Sequence, residues 1–339
     1  MTLQRVLVTG GAGYIGSHAV VQLLNSGFEV FIYDNFSNSC ISTIDHIGKI
    51  TGKKPSFVSG DIRDRELLKK IFSSNKINSV MHFAGLKAVG ESEAEPMKYY
   101  DTNVAGSLIL LEEALNAGIE KFIFSSSATV YGQQGHKKYR EDMPLAPVNV
   151  YGNTKFIVEK ILRDLSRTQL KLQIAILRYF NPVGAHKSGL IGEAPKSIPN
   201  NLMPYILQVA SGRLPKLFIF GDDYPTLDGT GMRDFIHVDD LVRGHILALE
   251  TLSKYNRLIT VNLGTGNAFS VLQLVKAFEK ASGISIPYEI LPRRSGDLAE
   301  YYADTTLAKQ TLNWHAELGL DRICEDAWRY QKQKSREIQ

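Results

Sequence analysis

The 339-residue chain has little cysteine: Cys40 and Cys324 are the only two. Two cysteines so far apart cannot supply a four-ligand zinc site, and they suggest no disulfide framework. No metal is expected, and a reducing compartment fits best. Long apolar runs are also missing. No stretch reaches the ~18 residues that cross a bilayer, so no membrane association is expected. The N-terminus enters an apolar strand almost at once, which argues against a secretory leader and for a cytoplasmic location. Charge of one sign is scarce, with a net of +4. No Lys/Arg-rich block interleaves with aromatics, so no nucleic-acid partner is expected. There is no internal repeat and no low-complexity tract. What is present is ordinary for a globular protein, 44% hydrophobic and 22% charged residues. That is enough to bury one large core or two modest ones.

Short β-branched runs alternate with helical periodicity through the first half. Strands are expected at 6–9, 30–33, 56–59, 79–83, 121–125 and 173–178. Helices are expected at 16–24, 66–72, 96–116 and 151–167. Such alternation predicts an α/β fold, a Rossmann-type doubly wound parallel sheet with helices on both faces. After Phe180 the texture changes to loops rich in proline and glycine. Helices are expected there near 202–211 and 271–282, with a strand at 261–263. We read 1–180 as a dinucleotide-binding domain and 181–339 as a smaller α/β substrate lobe. Segments near 235–250 are expected to pack back on the first domain. The polar end, 330–339, reads as frayed.

Gly10, Gly13 and Gly16 form G-x-x-G-x-x-G directly after Val6-Leu7-Val8 and before a helix. Glycine lets such a turn take positive φ and lets backbone approach a pyrophosphate, which the helix N-terminus then attracts. Asp34 ends the second strand 18 residues after Gly16. A carboxylate near that spacing accepts from the adenosine ribose hydroxyls and repels a 2′-phosphate, so NAD is expected over NADP. Asp61, ending the third strand, is a weaker candidate for the adenine amino group.

Tyr151 and Lys155 share a face at the start of a helix. An ammonium and a cationic nicotinamide would both favour a phenolate over a phenol of ordinary pKa ~10, as acid–base work near neutral pH needs. Ser125-Ser126-Ser127 closes the fifth strand, where carboxyl ends of parallel strands meet the ligand crevice.

Longer strings now accumulate: 8–18 around the glycine loop, 82–92 from His82-Phe83-Ala84-Gly85, 124–132 through the serines, 177–186 from Leu177-Arg178-Tyr179-Phe180-Asn181, 198–205, and 292–297. On these strings the chain resembles the extended short-chain dehydrogenase/reductase superfamily and, within it, the UDP-hexose 4-epimerase family. The resemblance implies reversible 4-epimerisation of UDP-galactose and UDP-glucose, a step of galactose metabolism (the Leloir pathway), with tightly held NAD and a 4-keto sugar. It implies Ser127, Tyr151 and Lys155 as the catalytic set. It implies NAD contacts from Tyr14, Ile15, Asp34, Asn35, Phe36, Asn38, Ser39, Asp61, Ile62, Phe83, Ala84, Lys87, Asn103 and Phe180, beside Gly85, Ser125 and Tyr179. For the UDP-sugar it implies Lys87, Ser127, Ala128, Thr129, Tyr151, Asn181, Asn200, Asn201, Leu202, Phe218, Ile219, Phe220, Arg233, Arg294, Asp297 and Tyr301. Arginine gives a diphosphate bidentate donors, while asparagines and a carboxylate can read uracil and ribose. Arg233 could instead simply pair with Asp234.

Sister 4,6-dehydratases carry an Asp-Glu pair where this chain has Ala128-Thr129, and neither residue can protonate a leaving hydroxyl. Tyr301 stands where a small residue goes with N-acetylated sugars and tyrosine with their exclusion. Phe235 replaces a common tyrosine, and Ala194 and Ser197 replace common Asp and Gly. Family members are commonly homodimers, here expected through 96–116 and 151–167. Two other classes stay open at this level: a net sugar-nucleotide dehydrogenase with exchangeable cofactor, and a nucleotide-binding protein without activity.

Overall fold

Seven parallel strands form the centre of the molecule, here described by a computed structural model covering residues 4–135, 138–169, 171–195, 199, 201–252, 257–294 and 297–338. They are β1 (Arg5–Thr9), β2 (Glu29–Asp34), β3 (Ser56–Ser59), β4 (Ser79–His82), β5 (Lys121–Ser127), β6 (Gln173–Tyr179) and β7 (Leu258–Leu263). Their spatial order is β7-β6-β5-β4-β1-β2-β3. β1 pairs with both β2 and β4, at registers such as Val8↔Ile32 and Val8↔Met81. The chain therefore reverses its direction of growth between β1 and β4, and a crevice opens beyond their carboxyl ends.

Successive residues on each strand face opposite sides, and both sides are dry except at the exposed edge strand β3. Val6, Val8, Ile32, Met81, Ile123, Leu177 and Val261 join one core. Helices Tyr14–Asn25 and Val238–Leu252 cover that face. Leu7, Phe31, Tyr33, Val80, Phe122, Phe124 and Ile176 join the other, beneath helices Arg65–Asn75, Gly106–Asn116 and Val150–Thr168. A third core gathers Met203, Ile206, Leu217, Ile219, Leu274, Phe278 and Ile323 from later segments.

Four segments differ from the sequence expectation. The helix expected over 96–116 is interrupted: Pro96–Tyr99 is followed by a π-helical turn, Tyr100–Ala105, and then by Gly106–Asn116. The wide turn places Asn103, whose amide takes Leu86 N–H and donates to Leu86 O and Thr154 Oγ1. Such turns recur at functional sites. Two further helices, Ser42–Thr51 and Val89–Ala94, were not anticipated. The expectation of a frayed end is overturned: helix Leu320–Ile338 runs through it. It is anchored where buried Tyr330 packs against Gly192, whose α-carbon leaves room for the ring.

Candidate active site

The glycine loop is built by close approach. Gly10 has φ +69°, and a Cβ there would lie 2.8 Å from Ala84 N. A Cβ on Gly16 would meet Gly10 O at 2.1 Å, so any larger residue would push the helix off the turn. Gly13 stands just before the helix, which starts at Tyr14 without a side-chain cap, leaving its first N–H groups for a ligand. Asp34 is buried beside the loop. Its Oδ2 accepts Ala12 N–H at 3.0 Å, and its Oδ1 accepts Phe36 N–H at 2.8 Å and Ser39 Oγ–H at 2.9 Å. Asp61 takes Asn35 Nδ2 at 2.9 Å and a chelating Arg63, whose bonds hold its carboxyl well below the usual range.

A cleft of about 1090 Å³ runs from this loop along the carboxyl ends of the strands. Its walls bring together Gly10, Gly13, Tyr14, Ile15, Gly16, Asp34, Asn35, Asn38, Ser39, Asp61, Ile62, Phe83, Ala84, Gly85, Lys87, Tyr151, Lys155, Tyr179 and Asn201. The cradle and the paired carboxylate-bearing turns suit an extended dinucleotide, so the residues present fit NAD. Phe36, Asn103, Ser125 and Phe180 do not line the walls. Asn103 and Ser125 stand behind them, Phe36 follows Asp34, and Phe180 is buried beside Tyr301.

Tyr151 and Lys155 sit in the first turns of helix Val150–Thr168. Asn149 caps this helix, its Oδ1 taking Gly152 N–H at 2.7 Å, a contact worth ~1 kcal/mol. Gly152 is required by packing, since a Cβ there would lie 2.9 Å from Thr129 O. The three serines of β5 are sorted by strand alternation. Ser126 turns away and donates to Glu159 Oε1 at 2.6 Å, which is held by buried Arg178. Ser127 faces Tyr151 closely enough to favour its phenolate, and it receives Thr129 Oγ1–H at 3.0 Å. Ser125 offers its carbonyl to Lys155 Nζ at 2.9 Å.

Burial pushes the Tyr151 phenol well above its ordinary range and the Tyr179 ring adds to this, while Ser127 acts the other way. Burial also pulls Lys155 down to about 8, against the pull of Glu159. The simple expectation that the ammonium acidifies the phenol thus needs revision. Lys155 Nζ lies 6.0 Å from the Tyr151 ring centroid and is engaged with the Ser125 carbonyl.

The remaining candidates form a second cluster. Arg233 Nη2 meets Asp297 Oδ1 at 3.3 Å, and Arg294 Nε meets Asp297 Oδ2 at 3.2 Å. The Arg294 guanidinium lies 4.5 Å from the Phe220 ring centroid. Tyr301 donates to Asn181 Oδ1 at 3.1 Å beneath the Arg233 guanidinium, 4.9 Å from its ring centroid. Arg233 does not pair with Asp234, which is buried and saturated by Thr265, Gly266 and Ala303 N–H groups. Strand Leu217–Phe220 buries Ile219 in the lobe core, while Phe218 and Phe220 face the other way. Leu202 packs on the same core, and Ala128 and Thr129 form the turn after Ser127. Asn200 and Ser197 lie outside the described residues. Among residues that sequence reasoning missed, Glu193 binds Lys87 and Asn201 on one oxygen, at 2.5 and 2.9 Å. Tyr330 and Lys334 also reach the cleft from the last helix. A lone loop glutamate and a polar C-terminus carry no local signal of this.

Comparison with known proteins agrees with this geometry. A family model described as GDP-mannose 4,6 dehydratase matches residues 7–327. A UDP-glucose 4-epimerase of Neisseria meningitidis serogroup A is 56% identical over 329 residues, 97% of each chain. A crystal structure of UDP-glucose 4-epimerase from Stenotrophomonas maltophila, with bound NAD and formylated UDP-arabinopyranose, superposes with TM-score 0.97 at 51% identity, covering 98% of this chain and 99% of that one. The chain belongs to the UDP-glucose 4-epimerase family of the extended short-chain dehydrogenases/reductases. The Bifidobacterium longum member, solved with NAD+ and UDP, has TM-score 0.93 at 46% identity and covers 98% and 99% of the two chains. Family membership agrees with the epimerase reading of Ala128-Thr129, although the matching family model is named for a dehydratase.

Proposed function

We propose that this enzyme interconverts UDP-galactose and UDP-glucose, with NAD held in the cleft as a resident cofactor. The observation that carries the reading is the meeting of Tyr151, Ser127 and Lys155 at the carboxyl edge of the sheet, beside the glycine cradle. NAD bound there supplies a hydride acceptor that later returns the hydride, and a positive charge that favours the Tyr151 phenolate. Tyr151 takes the proton from sugar O4 and gives it back after the 4-keto sugar has turned over. Ser127 hydrogen-bonds the phenol and reaches O4 alongside it. Lys155 holds the ribose side of the cofactor and contributes positive charge.

The Arg233–Asp297–Arg294 set, two guanidiniums sharing one carboxylate and so still net positive, supports, with Asn181, Asn201 and Phe220, a UDP handle that grips the nucleotide and leaves the sugar free to rotate. In this reading residues 1–180 carry the cofactor and 181–339 the UDP-sugar. Helix Val238–Leu252 and β7 return from the second part to complete the first. Met97 and Leu108, exposed at 78% and 49% on the 89–116 helical run, support self-association into a homodimer. No described helix is long and apolar enough to cross a membrane, which is compatible with a cytoplasmic enzyme.

The test is a coupled assay of purified protein on UDP-galactose without added NAD. Formation of UDP-glucose with no accumulation of NADH is expected. Steady NADH release would replace epimerisation with net dehydrogenation, and tight UDP-sugar binding without turnover would leave a binding protein. Light scattering of the same sample checks the dimer.

A further inference from the structure

We propose that His245 is a positioning residue for the nicotinamide end of the cleft, an inference that rests on the cofactor reading above. His245 is fully buried on helix Val238–Leu252, away from the acid–base set. Its ring centroid lies 5.0 Å from Phe83 and 6.3 Å from Tyr179, both walls of the cleft. Its hydrogen bonds settle its tautomer. Nδ1 is 3.0 Å from the Leu241 carbonyl oxygen, which can only accept, so Nδ1 carries the proton. Burial disfavours the charged form and keeps the ring neutral, so Nε2 is an acceptor.

Ser125 Oγ lies 3.1 Å from Nε2 and must therefore donate to it. Tyr179 packs against the same imidazole. The chain of donors runs in one direction, from Ser125 to His245 to Leu241. Ser125, whose carbonyl holds Lys155 Nζ at 2.9 Å, is locked at its side chain and its main chain together. Without an acceptor at position 245, Ser125 can rotate and the seat of Lys155 loosens. A shift of about 1 Å in such a site can cost ~100-fold in rate.

His245→Leu removes the acceptor at similar volume, and His245→Gln restores an acceptor near the Nε2 position. Both are compared with wild type as cofactor-loaded enzyme, by the emission of enzyme-bound NADH and by kcat and KM for UDP-galactose. The expected result is a shifted NADH emission in the Leu variant with kcat down by about 10- to 100-fold. KM stays within about twofold, because the contacts of His245 are to Ser125, Leu241, Phe83 and Tyr179 and not to the Arg233–Asp297–Arg294 cluster, and the Gln variant recovers most of both signals. Wild-type emission in the Leu variant would overturn the proposal, as would Leu and Gln variants with equal emission change and equal loss of melting temperature. Failure of wild type to epimerise would count against the functional reading alone, because the emission readout needs no turnover.

Discussion

The Lys87 ammonium lies 2.5 Å from Glu193 Oε1, so a lysine that follows β4 is tied to a loop of the second half of the chain across the mouth of the cleft. Burial alone would lower the Lys87 pKa, but Glu193 raises it, and the lysine stays charged. The same Glu193 oxygen also holds Asn201 Nδ2. If Lys87 and Asn201 both meet UDP-sugar, the Glu193 carboxylate competes with the incoming diphosphate for them. Glu193→Gln keeps an acceptor for Asn201 and removes the competing charge. A half-exposed ion pair contributes about 0.2–1 kcal/mol, so KM for UDP-galactose should fall by up to about fivefold. In a Lys87→Met background the same change should do much less. Equal effects in the two backgrounds would show that Glu193 does not act through Lys87.

Tyr151→Phe deletes the phenol beside Ser127 that the proposed mechanism uses to carry the O4 proton. A positioned acid–base group contributes about 10²- to 10⁴-fold, and kcat should fall by that factor with UDP binding retained. Retention of wild-type turnover would remove Tyr151 from the mechanism.

Lys155 supplies a pH signature. Burial sets its pKa near 8 in the protein. Its charge is present below that pH and lost above it, so kcat/KM should decline on the alkaline side of about 8. Lys155→Met should be slow throughout and lack this limb. A wild-type profile flat to pH 9.5 would contradict the role of the ammonium.

The parts of the molecule that were legible in sequence are those set by local requirement. The glycine loop was readable because Gly10 and Gly16 leave no room for a Cβ. Most of β1 to β6 were readable because strands buried on both faces are mainly apolar, although the edge strand β3 is largely exposed. What escaped depended on distant contacts. The π turn at Tyr100–Ala105 exists where Asn103 meets Leu86 and Thr154, and no helical periodicity announces that. The strand expected at 261–263 was placed in the second lobe, yet Leu258–Leu263 pairs with Gln173–Tyr179 at the edge of the large sheet. Glu193 and His245 matter only through what they touch. Even the serine triplet needed the backbone to show that Ser126 turns to Glu159 while Ser127 turns to Tyr151.

Tyr301 is held too firmly to swing aside. Its hydroxyl is bonded to Asn181, its ring lies under the Arg233 guanidinium, and Phe180 packs at 5.9 Å. If the sugar's 2-position borders this ring, as the family resemblance implies, a bulky 2-substituent would collide with it. Tyr301→Ser opens that space and should raise kcat/KM for UDP-GalNAc relative to UDP-galactose by at least about tenfold, the order of ~1.4 kcal/mol. Efficient use of UDP-GalNAc by the wild-type enzyme would show that this tyrosine is packing and not a gate.

Stability should fall as the solution turns mildly acidic, because three histidines are buried in the neutral form. Burial lowers His18 and His82 to about 3 and His245 to about 4. His82 is typical, lying between Thr9 Oγ1 at 2.7 Å and Ser107 Oγ at 2.8 Å with no carboxylate partner. The unfolded chain binds protons at these residues from pH ~6.5 downward, while the folded chain does not. Their contribution is therefore complete above pH ~6.5 and is lost progressively toward pH 3–4. Each histidine should cost roughly 2 kcal/mol between pH 6.5 and 5. His82→Gln keeps a donor and an acceptor for Thr9 and Ser107 but has nothing to titrate. Urea midpoints measured at pH 7 and pH 5 should lie closer together in this variant than in wild type. An unchanged separation would mean that His82 is already protonated in the native state at pH 5.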